Sequence, residues 1–294
     1  MERLLIIGSS GLLGNRMAEL ADGRFEVLGT YGSHRSGLEG EQKLDVRERD
    51  KVFSLIEKAK PSFVVDTHSL TNLDYCETHQ EEAWEVNVDG SRNVAEACKR
   101  FGSKYVFIST DNVFDGKKLR YIEKDMPHPL NYYAKTKLVM EHVLSALDIN
   151  YLVVRTAVLY GRGGSGKVSF PTWLVSKLKK GEEVRIVADQ KNNPTLTDSL
   201  AEFIFKLCQK DETGIFHVAG SECLSRYEFS VRIAKAFGLD KSLIRQVTSP
   251  ELNQIAPRPS MVNIASDKAE RATGLKAIGV DEGLEIFRKQ LVVR

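Results

Sequence analysis

The sequence predicts an α/β fold built on a doubly wound parallel sheet, followed by a smaller, closely packed α/β region. Over residues 1–160, short apolar segments alternate with amphipathic helical segments, a pattern typical of a parallel sheet with helices on both faces. From residue 161 to 294 the alternation loosens into segments separated by glycine and proline, with no repeat or clear linker. We therefore expect two regions, 1–160 and 161–294, that pack together and exchange segments.

The expected elements follow from apolar runs and helical periodicity. The predicted strands are Arg3–Ser9, Phe25–Tyr31, Ser62–His68, Lys104–Thr110, Asn150–Tyr160 and, in the second half, Gly214–Gly220. The predicted helices are Leu12–Ala21, Asp50–Ala59, Glu81–Phe101 and Tyr132–Leu147, followed by Ser225–Phe237 and Asp281–Gln290, which look structural.

Composition excludes several classes of function. Charged residues make up 28% of the chain and the net charge is only +2, with lysine and arginine scattered, so no nucleic-acid surface is predicted. No apolar run approaches the length of a membrane span, and the N-terminus lacks the layout of a signal peptide. The four cysteines lie far apart, which indicates reduced thiols in a cytoplasmic protein and no metal site.

A glycine-rich stretch, "GSSGLLG", joins the first strand to the first helix. Glycine there permits a tight turn, and the helix N-terminus presents free N–H groups to a pyrophosphate. Its spacing is G-x-x-G-x-x-G rather than the commoner G-x-G-x-x-G, but its context is that of a Rossmann-type dinucleotide site. The residues expected to contact the cofactor are Gly8, Ser10, Gly11, Leu12, Leu13 and Gly14.

The end of the second strand bears on which dinucleotide binds. An acidic residue there would favour NADH, through the ribose 2′-hydroxyl, whereas arginine would pair with the 2′-phosphate of NADPH. This chain has "TYGSHRSG" with no carboxylate, so Arg35 favours NADPH over NADH.

A second glycine-rich stretch, "GRGGSGKV", fits the first part of a P-loop pattern. Val168 stands where the motif needs a serine or threonine to hold Mg²⁺, and no later strand offers a suitable aspartate. We therefore expect a loop near a pocket rather than an ATP site.

Tyr133 and Lys137 stand four residues apart at the start of a predicted helix, so they share one face. An ammonium beside a phenol favours the phenolate, which would make Tyr133 a proton donor and acceptor at neutral pH. Tyr132 has uncharged Thr136 at the same spacing. Taken alone, the pair also fits a helix start with solvated lysines.

Thr110 ends the fourth predicted strand, at the edge where doubly wound sheets bind ligands. With Tyr133 and Lys137 it resembles the Ser/Thr–Tyr–Lys constellation of the extended short-chain dehydrogenase/reductase family. Stretches such as "STDNVFDG", "YAKTKLVME", "VADQKNNPT" and "RPSMVNIAS" are similar to those of dTDP-4-dehydrorhamnose reductases. The resemblance implies NADPH-dependent reduction of a 4-keto group on a nucleotide-activated deoxysugar.

The resemblance also implies roles for individual residues. Thr110, Tyr133 and Lys137 would be catalytic, with Lys137 holding the nicotinamide ribose and lowering the pKa of Tyr133. Further cofactor contacts would come from Asp45, Val46, Thr67, His68 and Ser69, and substrate contacts from Thr110, Asp111 and Arg258. Residues 1–160 would then bind NADP and residues 161–294 mainly the nucleotide sugar. A homodimer is compatible with the family, although no sequence pattern indicates one.

The chain departs from these reductases at three places. Asn112 and Val158 replace aromatic residues that the family usually has, and Asp66-Thr67-His68 replaces a less polar stretch. His68 is equally compatible with a cofactor contact and with a buried, hydrogen-bonded histidine. Arg258, between two prolines, fits a diphosphate contact or a surface turn equally well.

Two alternative functions stay open. Because Asn112 stands where related dehydratases have an acid, dehydration is disfavoured, but a sugar-nucleotide epimerase would use the same core residues. A non-catalytic NADP-binding regulatory subunit is the other alternative, since the β subunit of methionine adenosyltransferase resembles the same family.

Overall fold

The computed structural model describes residues 1–164 and 169–292. The strands are β1 (Arg3–Ile7), β2 (Glu26–Tyr31), β3 (Gln42–Lys43), β4 (Phe63–Asp66), β5 (Lys104–Thr110), β6 (Tyr151–Thr156), β7 (Leu159–Tyr160), β8 (Val184–Val187), β9 (Lys191–Asn192), β10 (Thr195–Leu196), β11 (Gly214–His217), β12 (Leu224–Ser225) and β13 (Ile244–Val247). The helices are α1 (Leu12–Ala21), α2 (Arg49–Ala59), α3 (Leu73–Thr78), α4 (Gln80–Trp84), α5 (Ser91–Phe101), α6 (Tyr132–Ala146), α7 (Phe170–Lys179), α8 (Thr197–Gln209), α9 (Arg226–Ala236), α10 (Asp267–Thr273) and α11 (Val280–Val292). A π-helical segment, Glu85–Gly90, joins α4 to α5, and short 3₁₀ turns cover Asp111–Val113, Lys241–Leu243 and Ser249–Leu252.

Among the described residues, seven strands form one sheet in the order β11-β6-β5-β4-β1-β2-β3, and every pairing in it is parallel. Chain order reverses between β1 and β4, so a crevice opens at the carboxyl ends of these two strands. The predicted doubly wound α/β fold is confirmed.

Helices cover both faces of the sheet because successive strand residues point to opposite sides. In β1, Leu4 and Ile6 face one core with α1, α8 and α10, while Leu5 and Ile7 face another with α2, α5 and α6. All four side chains are at most 1% exposed. This alternation explains why the strand is apolar along its whole length.

The second half contributes to both parts of the molecule. Helix α8 packs on α1 in the first core, and β11 pairs in parallel with β6 at the edge of the main sheet. The remaining elements build a separate core in which α7, α9 and α11 pack around the parallel pair β8–β13.

Two predicted elements are divided in the structure. The strand predicted for Asn150–Tyr160 ends at Thr156, and β7 then pairs with β10 because Tyr160 packs against Phe229 and Phe287 in the second core. The helix predicted for 81–101 contains the π-helical segment, a feature often found near functional sites. None of the helices in residues 1–164 and 169–292 has the length and apolarity needed to cross a membrane.

A buried ion pair joins α6 to the sheet. Arg155 of β6 binds Glu141 through two nitrogens, with Nε–Oε1 at 3.0 Å and Nη2–Oε2 at 2.6 Å, and Ser109 donates to Oε1 at 2.6 Å. Both charged side chains are almost fully buried. The pair fixes the helix that carries Tyr133 and Lys137 against β5 and β6.

We predict that Glu141→Gln lowers the free energy of unfolding by about 3–5 kcal/mol, because it leaves the Arg155 charge buried without its partner. Urea unfolding measures the change. The control is Glu26→Gln, which breaks an exposed pair with Arg3 and should cost less than about 1 kcal/mol. Equal losses in the two variants would contradict the structural role of the buried pair.

Candidate active site

The glycine-rich turn lies at the carboxyl end of β1, against the end of β4. Gly8 has a left-handed φ of +84° and its N–H donates to Thr30 Oγ1 at 3.2 Å. A Cβ on Gly14 would lie 2.4 Å from the Gly8 carbonyl oxygen and 2.7 Å from Thr67 Oγ1. Only glycine permits this approach of α1 to the strands, which points its first turn at the crevice.

The second glycine-rich stretch packs against this turn. The N–H of Gly164 donates to Asn15 Oδ1 at 3.2 Å, and a Cβ on Gly164 would lie 3.1 Å from the Leu12 nitrogen. The rest of the P-loop-like sequence, including Lys167 and Val168, lies outside the described residues.

Arg35 lies exposed just after β2. Its guanidinium stands over the Tyr31 ring at 5.5 Å from the centroid, and its Nε donates to the Tyr31 hydroxyl at 3.3 Å. The carboxylate of Glu41 in the same loop accepts from the N–H and hydroxyl of Ser36. Arg35 thus lies at the carboxyl end of β2, and its guanidinium is engaged with Tyr31.

Asp45 and Val46 lie between β3 and α2. The Asp45 carboxylate pairs with Arg47, with an Nη2–Oδ2 distance of 2.6 Å. Val46 is buried, and its side chain packs so closely on Gly90 that a Cβ there would lie 2.4 Å from Cγ2. Val46 thus touches the π-helical segment, while the Asp45 side chain is engaged by its neighbour.

Residues 66–69 leave β4 towards the crevice. The Thr67 hydroxyl donates to the Ile7 carbonyl at 2.8 Å and so ties β4 to β1. The Ser69 hydroxyl donates to Asn87 Oδ1 at 2.9 Å. Asn87 is buried and also accepts from the Leu70 N–H at 2.8 Å, so the loop is bound to the π-helical segment.

Both ring nitrogens of His68 are bonded within the protein. Nδ1 meets the Asp66 carboxylate, and Nε2 meets the Val86 carbonyl at 3.0 Å. Since both partners are acceptors, both nitrogens must donate, which makes the ring an imidazolium. The other oxygen of Asp66 accepts from the Tyr105 hydroxyl at 2.5 Å. The side chain of His68 is therefore a buried, ion-paired histidine, and its backbone lies against Gly8.

The charges of this pair shift both pKa values in opposite directions. Burial favours the neutral form of His68, but the Asp66 carboxylate and the Val86 carbonyl raise its pKa above 6.5. Burial would raise the pKa of Asp66, but His68 and Tyr105 lower it below 3.8.

Thr110, Tyr133 and Lys137 converge at the carboxyl end of β5. Thr110 Oγ1 accepts from the Asn112 N–H at 3.2 Å, and its hydroxyl is near enough to Tyr133 to act on the pKa of the phenol. Tyr133 lies in the first turn of α6, which Asn131 caps by accepting from the Ala134 N–H at 2.9 Å. Lys137 follows one turn later, with Nζ 4.2 Å from the centroid of the Phe107 ring.

The protein's own groups favour a neutral phenol at Tyr133. Burial and then the Asp111 carboxylate raise its pKa well above 10, against a smaller opposite effect of Thr110. The net direction in the protein alone is therefore opposite to the lowering by Lys137 that the resemblance implies. Burial also lowers the pKa of Lys137 to about 8, against the attraction of Asp66 and Glu141, and raises that of Asp111 to about 6.

The residues predicted to contact the substrate are hydrogen-bonded within the protein. Arg258 donates to Asp74 Oδ1 at 3.0 Å and to the Ala256 carbonyl at 2.8 Å. Asp111 Oδ1 accepts from Asn112 Nδ2 at 2.9 Å, so Asn112 supports the catalytic edge. Sequence reasoning missed Arg226, the first residue of α9, whose charge reaches Asp111. A cation in the first turn opposes the helix dipole, and that was the signal available in the sequence.

Comparison with known proteins identifies close relatives. The family model "RmlD substrate binding domain" matches residues 1–292. A dTDP-4-dehydrorhamnose reductase of Aggregatibacter actinomycetemcomitans is 32% identical, covering 98% of this chain and 99% of its own. The methionine adenosyltransferase 2 subunit beta of Bos taurus is 31% identical, over 89% of this chain and 80% of its own. The crystal structure of dTDP-4-dehydrorhamnose reductase from Bacillus anthracis in complex with NADP is 29% identical, with a TM-score of 0.89 over 98% of this chain and 99% of its own.

We predict that His68→Ala lowers the free energy of unfolding by about 3–5 kcal/mol near pH 6, because it leaves the Asp66 charge buried. The loss should shrink as pH rises through the raised pKa of His68, since the stabilising imidazolium then deprotonates in the wild type. Denaturant unfolding between pH 4 and 9 measures the difference.

The control for this pH dependence is the exposed His142 of α6. His142→Ala should change the free energy of unfolding by no more than about 0.5 kcal/mol at any of these pH values. A loss in His68→Ala that stays constant with pH would rule out the ion pair.

Proposed function

Because the chain belongs to the RmlD substrate binding domain family, we propose that it reduces the 4-keto group of a nucleotide-activated deoxysugar with NADPH. It is an NADP-dependent oxidoreductase similar to dTDP-4-dehydrorhamnose reductase. The observation that carries the proposal is the meeting of Thr110, Tyr133 and Lys137 at the carboxyl end of β5, on the same edge of the parallel sheet as the glycine-rich turn that follows β1.

The residues of the crevice fit the cofactor. We assign the pyrophosphate to the backbone N–H groups of the turn Gly8–Gly14 at the start of α1. We assign the 2′-phosphate to the guanidinium of Arg35. When bound, NADPH supplies the hydride. Of the remaining predicted contacts, we assign Val46 to the adenine and Thr67 and Ser69 to the walls of the ribose site. For His68 we assign only its backbone, because both ring nitrogens are engaged elsewhere.

Side chains of the protein hydrogen-bond the carbonyl oxygen and supply the proton. Thr110 and Tyr133 hydrogen-bond the keto oxygen, and Tyr133, held as a neutral phenol, donates its proton as negative charge develops there. Lys137 holds the nicotinamide ribose, and its positive charge stabilises the phenolate that remains. Asp111 lies next to Thr110 and orients Asn112.

The alternatives predict different observations. An epimerase would interconvert sugars without net consumption of NADPH. A regulatory subunit like the bovine relative would bind NADPH, reduce no 4-keto sugar nucleotide and copurify with an unrelated enzyme. The retention of all three side chains in one place favours turnover. We assign residues 1–160 mainly to NADP and 161–294 mainly to substrate, and we propose a cytoplasmic location and a homodimer.

We predict that Gly14→Ala weakens NADPH binding at least tenfold, because the new methyl group would displace Gly8 or Thr67 from the turn. Fluorescence titration with NADPH measures it. The control is Gly32→Ala, where an added Cβ meets no described atom within 4 Å and the backbone needs no positive φ. Gly14→Ala with wild-type affinity would exclude this turn as the pyrophosphate site.

We predict that Tyr133→Phe lowers kcat for reduction of a 4-keto sugar nucleotide by about 10²–10⁴-fold, since the proton donor is lost. NADPH affinity should stay within twofold of the wild type. The control is Tyr132→Phe, which removes the neighbouring hydroxyl and should reduce at a near-normal rate. Turnover by Tyr133→Phe within tenfold of the wild type would show that another group donates the proton.

A further inference from the structure

We propose that Arg226 binds an oxyanion of the substrate, either a phosphate of the nucleotide diphosphate or a carboxylate on the sugar. This inference rests on the proposed function, because it assigns a further part of the same substrate to the same crevice. Arg226 belongs to none of the motifs described for the sequence.

The backbone of Arg226 is held on both sides. Ser225 and Glu228 form a capping box at the start of α9, in which the Ser225 N–H donates to Glu228 Oε2 at 2.7 Å. The Arg226 N–H donates to the Gln190 carbonyl at 3.2 Å, and its own carbonyl accepts from the Ser230 hydroxyl at 2.8 Å. The side chain therefore leaves a rigid position.

One nitrogen of the Arg226 guanidinium is buried without a hydrogen-bond partner in the described part of the chain. The central carbon of the guanidinium lies 4.5 Å from the centroid of the Phe170 ring, and Phe170 is itself in contact with Trp173 and Phe229. Arg226 as a whole is partly buried, but its Nη1 is fully buried and meets no hydrogen-bond acceptor among the described residues. A buried charged donor without a partner is costly, so its presence calls for a ligand.

The charges around Arg226 do not neutralise it. Asp111 attracts it and Arg258 repels it. Asp111 is already hydrogen-bonded to Asn112 and Thr110, and Arg258 is already paired with Asp74. Glu228 is engaged in the capping box. Burial accordingly lowers the pKa of Arg226 to about 10, which still leaves it charged at neutral pH.

This arrangement is suited to an anion next to the reacting sugar. A guanidinium presents parallel N–H groups that match the two oxygens of a phosphate or carboxylate. The Phe170 ring lies against the guanidinium of Arg226. Asp111, whose charge attracts this guanidinium, accepts a hydrogen bond from the Thr110 hydroxyl. The bound oxyanion would supply the missing acceptor for Nη1.

The test compares Arg226→Met with the wild-type chain and with Arg232→Gln. Methionine fills similar volume against Phe170 but has no charge. Arg232 lies on the same helix and pairs with Glu222 and Asp281, so its replacement removes an equal charge elsewhere. Calorimetry measures binding of dTDP against thymidine and of UDP-glucuronate against UDP-glucose.

The two pairs of probes distinguish the two sources of the oxyanion. If Arg226 binds the diphosphate, Arg226→Met should weaken dTDP at least tenfold and leave thymidine unchanged. If it binds a sugar carboxylate, dTDP should be unchanged and the preference for UDP-glucuronate over UDP-glucose should fall at least tenfold. Changes within twofold in every probe, or no preference for charged probes in the wild type, would overturn the proposal.

Stability gives an independent readout. An arginine whose charge is buried for ligand binding destabilises the protein when no ligand is bound. Arg226→Met should therefore keep or raise Tm and leave NADPH affinity unchanged. A variant that unfolds or loses several degrees in Tm would instead indicate a structural arginine and overturn the proposal. If Arg226→Met loses dTDP binding but the wild type reduces no 4-keto sugar nucleotide, the proposed function is wrong and this inference stands. Normal reduction with an unchanged KM in Arg226→Met would refute this inference alone.

Discussion

The close approach of α1 to the ends of β1 and β4 is the constraint on which the site depends. Gly14 lies so near the Gly8 carbonyl and the Thr67 hydroxyl that no side chain fits between them. That approach aims the helix at the crevice and lets Thr67 join β4 to β1. The next two residues, His68 and Ser69, are then placed against the π-helical segment, which borders α6.

The buried charges of the site include two ion pairs and the ammonium group of Lys137. Asp66 with His68, and Glu141 with Arg155, are ion pairs that hold loop, sheet and helix together. Lys137 lies between them, and both carboxylates favour its charge. The structural pairs therefore also set the electrostatic environment of Lys137, the side chain that we propose to be catalytic.

The chain's departures from its relatives change the site in a consistent direction. Asp66 and His68 make the cofactor side more polar yet satisfy one another internally. Asn112, which stands where the family resemblance implies an aromatic residue, donates hydrogen bonds to Asp111 and Thr110. If Arg226 binds an oxyanion as we propose, the substrate side recognises its ligand more by charge and hydrogen bonds than by stacking on residues 112 and 158.

Local sequence predicted six of the seven strands of the main sheet, the helices that include α1, α2, α5, α6, α9 and α11, the glycine-rich turn and the shared face of Tyr133 and Lys137. The addition of Thr110 to that pair came from the family resemblance. Apolar periodicity, turn chemistry and i,i+4 spacing depend on near neighbours, so they can be inferred from the chain alone. Tertiary structure alone decided that His68 is ion-paired, that Arg258 is engaged by Asp74 and that Arg226 lies near Asp111. The last two are relations between residues more than 100 positions apart, and His68 also needs the Val86 carbonyl from another segment. Such relations follow from how the elements pack, which no local pattern contains.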